Sequence, residues 1–414
     1  MKRLVAILLS LAMMLSLVAC GGNTSTERTE EPAEKTEEPA KTDAPASSGD
    51  AAEPIKVGVY MPMTGVQAGL GLCQIEGIQQ AIDIANANGG IDGRMVELIT
   101  YDDAATTEGA TKAATRLIEE DGVQIIVGDF LSANILAVSA LTEEAKVLHV
   151  GAGTGSSWTN IGLEYTYRAL PVGTLPILTM TEEMVDMGIK SFALISVESE
   201  YGQAGRGDIL AATEKAGIEV KADLTYQTAD TDYTGIITKA MASGADTIVL
   251  YGVFTELGML VKQLRQNGYE DLIFTAEGVT ASELFTVSGD ASNGVVGAGT
   301  YFIPATPDGA PSDIVREQLE IYYEANGEMP YGDTFCRGYD QMSLVLEALR
   351  NCDDPDSGES IMEAFRAISG LELMSGTFDF TAGTGDGLTG KSKYMILDCA
   401  IQVYDKAALE AWRG

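Results

Sequence analysis

Short apolar runs recur along the chain from Ile55 onward, and between them apolar positions return at helical spacing. The first runs are 55–60, 95–101, 123–128 and 146–152; the later ones are 191–196, 218–226, 246–252, 271–276 and 294–302. Unbroken hydrophobicity over so few residues predicts strands buried on both faces, while Ile75, Ile78 and Ile82, or Ala113, Leu117 and Ile118, mark one face of a helix. Strands alternating with helices predict an α/β fold of doubly wound parallel sheets. Right-handed crossovers then bring every strand's C-terminal loop to one sheet edge. The alternation runs through two series, 55–172 and 173–303, which predicts two lobes. Beyond them the pattern predicts helices over 312–326, 334–350 and 358–369 and a hairpin-like end over 391–404. That is too few strands for a third domain, so residues from about 304 to 375 are assigned to lobe 1 and from about 376 to 414 to lobe 2. Several crossings make a multi-segment hinge, and the cleft beside it is the expected ligand site.

The N-terminus follows a different logic. Lys2 and Arg3 precede a nearly unbroken apolar run, Leu4 to Val18, that is shorter than the roughly 20 residues of a membrane-spanning helix and fits a signal peptide over 1–19. The run ends in Leu17-Val18-Ala19-Cys20, which resembles a bacterial lipobox whose cysteine carries the lipid anchor. Residues 21–53 contain no aromatic, Leu, Ile, Val or Met, so 20–53 is expected to be a lipidated, disordered acidic linker. These features predict export and anchoring through Cys20 to the outer face of the cell membrane.

Charge narrows the partners. The chain of 414 residues has 26 basic against 61 acidic residues, a formal net charge of −35, which repels phosphate backbones and argues against nucleic acid. Cys73, Cys336, Cys352 and Cys399 show no metal-type spacing; export permits disulfides, but the sequence does not pair them, and free buried thiols fit equally. The single histidine, His149, lies inside an apolar strand and is read as a core residue. Gly151-Ala-Gly153-Thr-Gly155 follows the fourth strand with G-x-G-x-G spacing, which is not a dinucleotide fingerprint but lets a backbone approach a ligand closely. The stretch 379–390 lacks the oxygen spacing of a calcium loop and is read as a turn or hairpin. No metal, cofactor or catalytic constellation is expected, and the chain is read as a binder and not an enzyme.

Several stretches together resemble the leucine/isoleucine/valine-binding protein family, the type I periplasmic substrate-binding proteins of ABC transporters. They are Ile55-Lys-Val-Gly-Val with Met63-Thr64-Gly65, Glu76-Gly77, the run from Ile84 to Gly93, Tyr101-Asp102-Asp103-Ala104, Tyr201-Gly202 with Arg206, Tyr251-Gly252 and Glu277-Gly278-Val279. Their order and spacing extend over nearly all of 55–405. The resemblance implies a Venus-flytrap mechanism, a branched-chain or related amino acid as ligand, an ABC permease with its ATPase subunits as partner, and a monomer. It implies that Ser132, Gly153 and Thr154 hold the ligand's carboxylate on lobe 1. On lobe 2 it implies that Tyr201 packs over the ligand and Glu277 pairs with its ammonium. Leu70 and Phe254 stand where relatives carry tyrosines, so the pocket departs from the family's type member there. Helix N-termini at these loops are anion sites on physical grounds as well. Other readings compatible with the fold are a soluble ligand sensor, or a binder of an amide, urea or an aromatic acid.

Overall fold

A computed structural model describes residues 53–388 and 393–397, apart from Ser156, Asn160, Ala229 and residues 278–281, 300–302, 305 and 311. The signal peptide, Cys20, the linker up to residue 52, Cys399 and the end of the chain lie outside the described residues.

The first sheet has five parallel strands in the order β2-β1-β3-β4-β5: β1 Ile55–Met61, β2 Val96–Asp102, β3 Ile125–Val127, β4 Leu148–Gly151 and β5 Thr166–Arg168. Helices α1 (Ala68–Ala87), α2 (Thr107–Glu119) and α3 (Ser132–Ala145) connect the first four strands. The second sheet comprises β6 Ser191–Val197, β7 Glu219–Tyr226, β8 Thr247–Tyr251, β9 Ile273–Ala276 and β10 Val295–Gly299. Its helices are α4 (Thr174–Asp186), α5 (Glu200–Ala216), α6 (Thr234–Ala242), α7 (Phe254–Gln266) and α8 (Ser282–Ser288). Read from β7, the order β7-β6-β8-β9-β10 repeats that of the first sheet. Both sheets therefore reverse direction beside their first strand, and such a switch point opens a crevice at the strands' C-terminal edge.

Three helices and three strands follow: α9 (Asp313–Asn326), α10 (Thr334–Asn351), α11 (Gly358–Arg366), β11 (Ser369–Leu373), β12 (Gly376–Asp379) and β13 (Lys393–Leu397). Met342, Leu344, Val345 and Leu346 of α10 and Phe365 of α11 bury with Val57, Val59 and Val150 in the core of the first lobe. Strand β13 closes the second sheet antiparallel to β10. Among the described residues the chain thus passes between the sheets three times. The last return comes later than the pattern predicts: Phe378, Phe380 and Leu388 pack into the core of the first sheet, and among the described residues beyond them β13 joins the second. Alternating Phe378 and Phe380 around a hairpin is an apolar signal too short to say which lobe it serves.

Strands β5, β11 and β12 had no counterpart in the sequence pattern. Strand β5 is three residues long and ends on an arginine, and β11 is largely solvent-facing. The stretch 379–388 does turn back on itself, with Phe378 bridged to Leu388. Cys73, Cys336 and Cys352 are free thiols, and burial pushes Cys73 up to about 12. No helix among the described residues is long and apolar enough to cross a membrane.

Candidate ligand-binding site

A cavity of about 430 Å³ opens where the C-terminal edges of the two sheets meet. Lobe 1 lines it with Ala104 and Ala105 after β2, Phe130 to Asn134 after β3 and Thr154 after β4. Lobe 2 contributes Ser199, Glu200 and Tyr201 after β6, Gly252 to Phe254 after β8 and Glu277 after β9. Arg337, from the first turn of α10, completes the wall.

On the lobe 1 side, the amino end of α3 faces the cavity. Ser132 is the first residue of α3, whose opening amides have no intrahelical acceptor and carry the positive end of the helix dipole. Ser132 and Thr154 are 2% and 5% exposed, and the Ser132 hydroxyl accepts from Gly155 N–H at 3.0 Å. A side chain at Gly155 would meet that hydroxyl, so the close approach requires glycine here. Gly153 lies behind the lining, with its carbonyl accepting from Arg168. Arg168 is fully buried at the end of β5. It donates to Asp386 Oδ1 at 2.6 Å, to the Gly155 carbonyl at 2.6 Å and to Thr159 Oγ1 at 3.3 Å, and stacks 4.1 Å from the Trp158 ring centre. One guanidinium therefore holds both sides of the Gly153–Gly155 loop.

The β3–α3 loop has its own support. Asp129 accepts from the amides of Phe130 and, at 3.1 Å, Leu131, and Asn134 Nδ2 donates to its other oxygen at 2.8 Å. Burial, reinforced for Asp129 by the neighbouring Asp103 carboxylate, raises the titration of both acids. Asn134 thus spends its amide on the loop. Behind it, His149 Nε2 lies 2.9 Å from both the Tyr60 hydroxyl and the Gly128 carbonyl. His149 is a core residue, as its place in an apolar strand predicts. Burial lowers its pKa from 6.5 to about 4, so folding favours the neutral ring. That stability is fully present above pH 6.5 and is lost as pH falls towards 4, by about 3 kcal/mol in all. Urea unfolding at pH 7 and pH 4.5 is expected to show a larger acid loss for the native protein than for His149→Gln; equal losses refute the assignment.

On lobe 2, Tyr201 stacks on Tyr251 with ring centres 4.7 Å apart, and a Cβ at Gly205 would collide with the Tyr251 ring. Ser199 caps α5 by accepting from Gly202 N–H at 3.1 Å, which orients Glu200 and Tyr201 towards the cleft. Glu277 is 3% exposed and has a left-handed backbone, φ 65°, while its N–H donates to Ala298 O at 2.6 Å. Its carboxylate lies 3.3 Å from Arg337 Nη2. Phe254 begins α7 and packs against Leu70 and Phe130, an apolar contact between the lobes. Leu70 belongs to that contact and is not part of the cavity lining.

Six of the seven residues singled out from the sequence therefore gather at this crevice: Ser132, Thr154, Tyr201, Phe254 and Glu277 in its wall and Gly153 just behind. Arg337, Glu200 and Arg168 were not anticipated. Asp333 and Arg337 stand four residues apart at the start of a helix, which is a legible ion-pair spacing, but nothing local says that they face a cleft.

The profile of the periplasmic binding protein family matches residues 54–395. The chain belongs to that family. It is a periplasmic binding protein of the leucine/isoleucine/valine-binding type. Among its relatives, the leucine-, isoleucine-, valine-, threonine- and alanine-binding protein of Pseudomonas aeruginosa is 26% identical over 340 residues, 81% of this chain and 88% of that protein. The leucine-specific-binding protein of Salmonella typhimurium is 25% identical over 252 residues, 60% of this chain and 68% of that one. The crystal structure of a leucine binding protein from Thermotoga maritima superposes with a TM-score of 0.75 at 26% identity, covering 83% of this chain and 95% of that one. A Streptococcus pneumoniae branched-chain amino acid transporter substrate-binding protein, solved with isoleucine, shares the fold at TM-score 0.76 and 22% identity, over 85% of this chain and 98% of that one. The fold is that of the type I binding proteins, with two parallel-sheet lobes.

Proposed function

We propose that this binding protein captures a branched-chain or related amino acid between its lobes and delivers it to the permease of an ABC transporter. One observation carries the reading: a single cavity puts the amino end of α3, with Ser132 and Thr154, on one lobe opposite the buried carboxylate of Glu277 on the other. An α-amino acid presents a carboxylate to the first and an ammonium to the second. A grip that needs both lobes binds the closed form selectively, and that difference in affinity is what drives closure. Phe130, Val253 and Phe254 give the wall an apolar stretch that suits an aliphatic side chain. About 430 Å³ is within the usual size of a small-molecule site. The same reading makes the chain an exported lipoprotein held at Cys20, a monomer, and a binder without catalysis; the names of its relatives support the transport role.

A thermal-shift screen tests the ligand class. Selective binding to the native state at a thousandfold excess over Kd stabilises by about 4 kcal/mol, a readily measured rise in Tm. Leucine, isoleucine or valine is expected to raise Tm, and amides, urea and aromatic acids are expected to leave it unchanged. A response confined to the latter compounds, or to none, overturns the reading. Mass spectrometry of the membrane fraction, with diacylglycerol expected on Cys20 and its loss in Cys20→Ala, tests the anchor.

A further inference from the structure

Glu277 does not face the cavity alone. Arg337 reaches it from α10, and the two side chains are 3% and 6% exposed. By itself such a guanidinium would cancel the Glu277 charge and compete with any ligand ammonium for it. Asp333 lies on the other side of the same guanidinium, wholly buried, with its Oδ2 accepting from Nε at 2.8 Å and from Nη2 at 2.6 Å. Asp333 is also the N-cap residue of α10, where an aspartate ordinarily accepts from the helix's own amides. Here it makes no cap hydrogen bond, and its carboxylate turns to Arg337 instead. Its Oδ1 is buried without a hydrogen-bond partner among the described residues.

The described cluster therefore sets two carboxylates against one guanidinium, an excess of one negative charge among side chains no more than 6% exposed. A buried charge is costly until a counter-charge arrives. A ligand ammonium brings the count to two and two. A neutral group leaves the excess in place, and a ligand carboxylate at this end makes three anions around one cation. We infer that Asp333 is a specificity-determining residue: by cancelling Arg337 it leaves Glu277 one charge to offer, so the ligand must carry an ammonium group. The inference rests on the amino-acid reading above, and it assigns the preference for an amine to a residue that never touches the ligand.

Calorimetry with L-leucine and its deaminated analogue, 4-methyl-2-oxopentanoate, tests it. The wild-type protein is expected to favour leucine by at least a hundredfold. Asp333→Asn leaves Glu277 and Arg337 balanced against each other, so the ratio is expected to fall at least tenfold. A purely structural role would weaken both ligands alike, and an unchanged ratio in a folded Asp333→Asn or Asp333→Ser protein overturns the inference. The wild-type protein supplies a second measurement that needs no variant. Tighter binding of 4-methyl-2-oxopentanoate than of leucine, or of a dicarboxylic acid than of leucine, would make Arg337 the ligand's anion receptor and likewise overturn it. Failure of every α-amino acid to bind would sink the amino-acid reading itself and this inference with it, whereas leucine bound with an Asp333-independent ratio would sink the inference alone.

Discussion

Replacing Glu277 by alanine is expected to weaken the binding of an amino acid by two orders of magnitude or more. The carboxylate is almost wholly excluded from water, and the residue's own backbone is fixed by its N–H donating to Ala298 O. Removing one partner of a desolvated ion pair costs about 3–5 kcal/mol, because the other charge stays buried without compensation. A ligand held at micromolar Kd has about 8 kcal/mol of binding free energy, so the loss takes it to the edge of detection. The variant also leaves Asp333 and Arg337 as a balanced pair, which removes the attraction for an ammonium without leaving a stray charge in the protein. Fold stability should therefore suffer much less than affinity. Calorimetry showing leucine bound within tenfold of the native affinity would rule out Glu277 as the ammonium partner.

Arg168→Ala is expected to destabilise the protein and disable the ligand grip at the same time. The side chain is fully buried and holds Asp386, two backbone carbonyls of the Gly153–Gly155 loop and Thr159, with the Trp158 ring stacked beneath it. Breaking a buried ion pair from one side costs about 3–5 kcal/mol. At roughly 2–4 °C per kcal/mol for a domain of this size, Tm should fall by about 6–20 °C. Thr154 lies between the two tethered carbonyls, so affinity should fall as well. Lysine should not rescue either property, because one ammonium cannot reproduce the planar fork that reaches the carboxylate and both carbonyls. Scanning calorimetry that finds Tm unchanged would show that the loop stands without its arginine.

The contrast between these two residues shows what could be read in advance. Glu277 follows an apolar run and precedes a glycine, and in a parallel sheet the end of a strand is where ligands bind, so its place was legible. Arg168 gives no such sign. Its strand is three residues long, and its partner Asp386 lies 218 residues further on, in a stretch that reads as an ordinary turn. Arg337 is intermediate: its ion pair with Asp333 has helical spacing, while its contact with Glu277 crosses from one lobe to the other. Leu70 shows the opposite outcome. It was expected in the pocket because of its position in the family pattern, and the fold packs it against Phe254 and Phe130 outside the cavity lining.

The sequence alone determined most strands of the two large sheets, though not β5, and the sheet edge on which the site would form. Strands covered on both faces must be continuous apolar runs, and the connections between parallel strands have one hand, so local pattern suffices to place the C-terminal loops of β1, β2, β3 and β4 on one edge of the first sheet and those of β6, β8 and β9 on one edge of the second. Tertiary structure decided the charge state of the site. Whether Glu277 offers a net negative charge depends on Arg337 from a helix 60 residues away, and on Asp333 turning from its cap position to hold that arginine. Charge balance in a buried site is a property of groups within a few ångströms of one another, and only the packing of α10 against the cleft brings these three within that range.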